Sequence, residues 1–195
     1  MWRHDLVVDA VYKILRRNGF PAQKEVRVHP GTEKRMDVVT RFGGEVMWFD
    51  VSVVDPVAPT YIGGAAKVPG AAAGARAKEK QRRWEAIARE HSAQFCPLVI
   101  ETSGRLGKSF VQFRKKLAEL VVGEEKAPWW TLSGEREEYE VAKKERDMQG
   151  VIVTALACGN VRVEYENRTG RLARRSRRKI PLRVVVTPDA MRHDV

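Results

Sequence analysis

KRMDVVTRFGGEVMWFDVSVV, residues 34–54, reads as two β-strands joined by a tight turn. Residues 34–41 (KRMDVVTR) form the first, closed by Gly43-Gly44. Residues 45–54 (EVMWFDVSVV) form the second, rich in valine and aromatics and stopped by Asp55-Pro56. Strands joined by so short a turn pair antiparallel. Side chains of a strand alternate between faces, so Arg35, Asp37 and Val39 share one, and Val46, Trp48, Asp50, Ser52 and Val54 share another. Asp50 stands among Phe49, Val51 and Val53, and Asp37 lies between Met36 and Val38. A carboxylate in such surroundings is costly unless it is paired, protonated or bound to a metal.

The flanking sequence supplies the other layers. Residues 4–18 carry Leu6, Val7, Ala10, Val11, Ile14 and Leu15 at helical spacing and stop at Asn18-Gly19. Residues 24–30 (KEVRVHP) predict a short strand. The prolines and paired glycines of residues 56–70 predict a loop, and a helix follows over residues 71–92. PLVIET, residues 97–102, reads as a buried strand, ended by the SGRLG turn. Helices are predicted over 108–122 and 135–158, with a break at Pro128-Trp129-Trp130. Beyond Asn160, Val161–Tyr165 reads either as a strand or as more helix, and Leu182–Val186 as a further strand. The order is helix, three strands, helix, strand, helix, helix. It predicts an α/β fold with a mixed sheet, its third and fourth strands parallel across a right-handed helical crossover.

Composition limits what such a fold is for. The 195 residues suffice for one domain with a real core, and the 43% hydrophobic content argues against wholesale disorder. No apolar run approaches the roughly 18–20 residues of a membrane span. Charged residues from Arg3 to Lys13 break any secretory-signal core. Two cysteines, Cys96 and Cys158, rule out a disulfide scaffold and a four-cysteine zinc module. A net charge of +11 favours a polyanionic partner. Much of it sits in residues 168–183, where Arg168, Arg171, Arg174, Arg175, Arg177, Arg178, Lys179 and Arg183 occur without one acid. Such a run grips phosphates, signals nuclear import, or is a solvated arm.

Asp37 and Asp50 are the first candidates for chemistry. If the hairpin sets them face to face, like charges repel and a hard divalent cation is the natural remedy. The alternative is two strand-end aspartates paired with Lys34, Arg35 or Arg41. The helix at 71–92 bears on the choice. Its apolar side is Ala73, Ala77, Trp84 and Ile87 or Ala88, and Lys80 falls on that side, whereas Lys78, Arg82 and Arg89 point elsewhere. An inward lysine either snorkels to the edge or meets a carboxylate, where it orients a water or offsets phosphate charge.

An acid on one strand, a second acid one hairpin later and a lysine near the sheet resemble the PD-(D/E)XK (restriction-endonuclease-like) nuclease superfamily. The residues that carry the resemblance are Arg35 and Asp37; Asp50-Val51-Ser52 with Val54 and Pro56; Ala77, Lys80, Arg83 and Trp84; and Pro97 to Glu101-Thr102 with Gly104. Together they are most similar to the endonuclease domain of eukaryotic site-specific non-LTR retrotransposons, and ALACGN around Asn160 is similar to that domain's last helix. The chain departs from the usual pattern at Ser52, which stands where the superfamily lysine is commonest; some branches carry that lysine on the following helix. Met36 replaces the usual proline, and Trp84 the commoner tyrosine.

The resemblance implies an αβββαβ core with additional C-terminal helices, as a nuclease-like domain over residues 1–166 and a basic tail over 167–195. It implies a metal-dependent DNA endonuclease in which Asp37, Asp50 and the Val51 carbonyl hold Mg²⁺ or Mn²⁺, and Lys80 positions water or neutralises phosphate. Ser52, Glu101 and His4 are expected as accessory residues; Arg35, Arg83, Arg171, Arg174, Arg175, Arg177, Arg178 and Lys179 are expected to contact nucleic acid. The implied reaction is phosphodiester hydrolysis, a nick leaving a 3′-hydroxyl that primes reverse transcription. DNA is the expected partner, with retroelement RNA a further one and no membrane. The location is nuclear if the chain is eukaryotic, and otherwise intracellular and soluble. The alternatives are a catalytically silent nucleic-acid-binding module on the same scaffold and an RNA-binding or ribosome-associated protein.

Other residues carry less. Gly104-x-x-Gly107-Lys108-Ser109 lacks the glycine that a phosphate-binding loop needs at position 102, which is Thr102. His91 and Cys96 lack nearby co-ligands, so buried packing is expected of both. His4 lies on the apolar side of its helix, as a core-edge histidine or near the site; Asp9 falls on the polar side, as a solvated charge. Glu101 either meets the Arg105 turn or serves the site. Trp129-Trp130 reads as a core plug rather than a base-stacking platform.

Overall fold

Alternation along one strand organises the layers. The computed structural model describes residues 2–28, 35–42, 44–124 and 134–172. Its elements are α1 (Trp2–Arg17), β1 (Ala22–Arg27), β2 (Arg35–Phe42), β3 (Glu45–Val54), α2 (Ile62–Ala65), α3 (Ala71–Glu90), β4 (Ala93–Glu101), α4 (Lys108–Glu124) and α5 (Gly134–Leu172). The sheet runs β1-β2-β3-β4, with antiparallel pairing between the first three strands and parallel pairing of β3 with β4. This is the mixed α/β sheet that the sequence predicts.

Met47, Phe49, Val51 and Val53 of β3 point to a core shared with Val7, Val11 and Leu15 of α1, Phe110, Phe113 and Leu117 of α4, and Met148, Ile152 and Leu156 of α5. Val46, Trp48 and Val54 point the other way, to Trp84 and Ala88 and to Ala72 and Ala73, all of α3. With both faces covered, β3 and β4 have few polar positions, which is why they read as near-continuous apolar runs. β1 is an edge strand whose exposed Lys24 and Arg27 discourage pairing with another chain.

The structure changes several predicted boundaries. The loop at 56–70 contains the single turn α2. β4 begins at Ala93 rather than at Pro97, because Ala93, Gln94 and Phe95 continue the pairing against Val46, Met47 and Trp48. Val161–Tyr165 is helix, since α5 continues to Leu172. Pro128, Trp129, Trp130 and Leu182–Val186 lie outside the described residues, as do Arg174, Arg175, Arg177, Arg178 and Lys179. The chain divides into one compact unit at Met1–Val163 and another at Glu164–Val195, so the division falls within α5.

α5 reaches α1 through Gly159. A Cβ added there would lie 2.9 Å from both Cα and Cγ of Arg3, so the two helices touch backbone to backbone and only glycine fits. Gly159→Ala gains helix propensity but forces that contact apart. The expected net loss is about 1–2 kcal/mol of stability, measured by urea unfolding.

Candidate active site

Asp37 marks the point where β2 leaves β3. The ladder between them ends at Val38 opposite Phe49, and one further step of that register sets Asp37 across from Asp50. On the other side of β2, the register with β1 places Glu25 opposite Asp37, and Glu25 has φ 55°, uncommon for a residue other than glycine. In the gap so opened, the Asp37 carboxylate takes the place of a strand: Oδ2 accepts the backbone N–H of Val51 at 2.6 Å. The same oxygen lies 3.1 Å from Nε2 of His4 on α1.

Asp50 is 7% exposed in the middle of β3. Lys80 reaches it from α3, its ammonium donating to both carboxylate oxygens at 2.8 and 2.7 Å. Lys80 sits between Ala77, which packs with Ala72 and Ala73, and Trp84, which packs with Trp48, as its helical spacing predicts. Burial pushes the Asp50 carboxyl above the ordinary carboxylate value, Lys80 pulls it down, and the Asp37 carboxylate adds to the rise. His4 is raised to about 9 by its bond to Asp37, with burial opposing and Asp5 assisting. Two carboxylates are thus brought together and answered by one cation from α3 and one from α1.

These groups line one cavity of about 470 Å³, with Val51, Ser52, Val53 and Trp84 in its wall. Arg3, Arg35, Arg76 and Arg83 line it as well. Of these, Arg35 and Arg83 were legible from the sequence pattern. Arg3 and Arg76 were not, because Arg3 comes from α1 and Arg76 lies one turn before Lys80, outside any motif. Arg76 also pairs with Glu79 at 2.7 Å, and Arg83 lies over the Trp84 ring at 5.6 Å.

No family model matches this chain, and neither does any curated protein.

Glu101 is elsewhere. It is 4% exposed, lies 3.8 Å from Arg105 Nε and accepts the Ala73 N–H at 3.3 Å. Ala73 is in the first turn of α3, whose N-cap Gly70 offers no side-chain acceptor, so Glu101 caps the helix that carries Lys80. His91 is exposed and rests against Trp48 with ring centroids 5.5 Å apart, so it is not the buried packing residue that the sequence suggests. Cys96 is buried enough to push its thiol up to about 12. Asp9 is on the exposed side of α1, as its spacing predicts, and pairs there with Lys24. The backbone of Arg171 lies within α5, in the second unit.

Two outcomes follow. Lys80→Met strands the Asp50 carboxylate beside Asp37, and should cost about 2–4 kcal/mol in urea unfolding; adding Asp50→Asn should restore much of it. The sign for His4 is that of a raised base: in metal-free protein its stabilisation is complete below pH 6.5 and lost as pH rises through about 9. The stability gap between wild type and His4→Ala should therefore narrow across that window.

Proposed function

We propose that this chain is a metal-dependent DNA endonuclease with a restriction-endonuclease-like core, hydrolysing phosphodiester bonds. One observation carries the reading: carboxylates from two neighbouring strands and a lysine from the crossover helix converge in a cavity walled by arginines. Among the described residues no group of three or more His, Cys, Asp and Glu side chains is arranged to hold a metal ion. Two carboxylates still suit Mg²⁺ or Mn²⁺, because small hard cations take one or two protein carboxylates and complete their shell with water and substrate phosphate. Asp37, Asp50 and the Val51 carbonyl would hold the ion, which when bound supplies Lewis acidity and a more acidic water.

The protein's own groups account for the rest. The arginines draw a polyanion to the cavity and orient it. The Lys80 ammonium, with three donors, offsets the charge that grows on a phosphate in flight. Ser52, 7% exposed in the cavity wall, offers a hydroxyl where the usual superfamily pattern has its lysine. Nuclear residence and a part in retroelement integration belong to the same proposal. No helix among the described residues is long and apolar enough to cross a membrane.

A second reading has its own support. Lys80 occupies both oxygens of Asp50, so the acids are balanced without a metal, as a silent DNA-binding module requires. Plasmid nicking separates the two. With Mg²⁺ or Mn²⁺ the wild-type chain should cut and with a chelator it should not. Asp50→Asn should lower the rate on the order of 10²-fold or more while leaving DNA affinity nearly unchanged. A wild-type chain that binds plasmid well and never cuts it establishes the silent module instead.

A further inference from the structure

Arg3 stands out among the arginines of the cavity for the kind of partner that holds it. Its Nη1 donates to Oδ1 of Asn160 at 3.3 Å. Asn160 is itself held, its Nδ2 donating to the Thr102 carbonyl at 3.0 Å just past the end of β4. With the nitrogen committed to Thr102, the amide oxygen is left to face Arg3. Gly159, the residue before it, lets α5 approach α1 closely enough for this contact.

A neutral acceptor orients a guanidinium without cancelling its charge. Two other arginines are answered by carboxylates: Arg76, in the same cavity, by Glu79, and Arg114, outside it, by Glu145 at 3.0 Å. Among the described residues no carboxylate pairs with Arg3. It lines the cavity of Asp37, Asp50 and Lys80, one residue before the histidine that touches Asp37. A fixed and unneutralised guanidinium at that place is suited to an anion arriving from outside, and its fork matches two phosphate oxygens.

We propose that Arg3 binds a backbone phosphate of the DNA seated in this cavity, and that Asn160 is the positioning residue that aims it. This rests on the endonuclease reading for the identity of the polyanion, but it does not require that the chain cut.

The test is anisotropy of a fluorescein-labelled DNA duplex titrated with full-length protein over a range of salt concentrations. Arg3→Gln keeps a donor for Asn160 and removes the charge. It should weaken binding about tenfold at low salt and lower the slope of log affinity against log salt by about 0.9, the signature of one lost phosphate contact. Asn160→Ala should weaken binding less, and the double variant should bind no worse than Arg3→Gln alone. If Asn160→Ala does not fold, Asn160→Ser, which retains a shorter acceptor, carries the same cycle. Equal affinity and slope for wild type and Arg3→Gln overturn the assignment and leave the endonuclease reading standing. A full additional loss from Asn160→Ala in the Arg3→Gln background overturns the positioning role. A wild-type chain that neither binds nor cuts duplex DNA, or that is displaced far better by an RNA duplex, overturns the endonuclease reading and this assignment with it.

Discussion

A lysine ammonium on a buried aspartate holds this structure's most expensive arrangement together. Asp50 lies in the middle of a strand covered on both faces, and across the hairpin from it stands Asp37. Two ionised carboxylates so placed repel, and burial removes the water that would screen them. Lys80 answers one and His4 the other. Neither partner is local: Lys80 is 30 residues from Asp50, and His4 is 33 from Asp37. The charges are therefore balanced only once the helices on both faces of the sheet have docked.

The layers are built around that need. β2 pairs with β3 only from Val38 onward, and before it the Asp37 side chain, not a strand, satisfies the Val51 N–H. Glu101 ends the parallel strand β4 and caps α3, so one carboxylate fixes the start of the helix that delivers Lys80. On the opposite face α1 brings Arg3 and His4 to the same cavity, and α5 holds Arg3 through Gly159 and Asn160. A gap between two inner strands thus becomes the floor of a polar cavity, and the helices around it contribute its cations or the support for one.

Much of this was legible in the residues. Strand parity placed Asp50 and Ser52 on the side of Trp48 and Val54, and helical spacing placed Lys80 between Ala77 and Trp84. Parity works less well in β2, where Met36 and Val39 pack against the same cluster although they differ by an odd number of positions. The irregular backbone at Glu25 and the divergence at Asp37 interrupt the alternation there. One expectation for a single residue did not hold: His91 is exposed against Trp48, since the faces of neighbouring elements decide such contacts.

What the amino-acid sequence determined alone was whatever repeats at a short period: which segments are strands or helices, which side of each is apolar, and which polar residue breaks that side. Asp37, Asp50 and Lys80 were visible because each violates a local pattern, and a charge among apolar neighbours must be answered somewhere. The tertiary structure decided who answers. Arg3 and Asn160 meet across 157 residues, and Glu101 caps a helix 28 residues upstream. No period or spacing records contacts of that range, because they depend on where whole elements come to rest against one sheet.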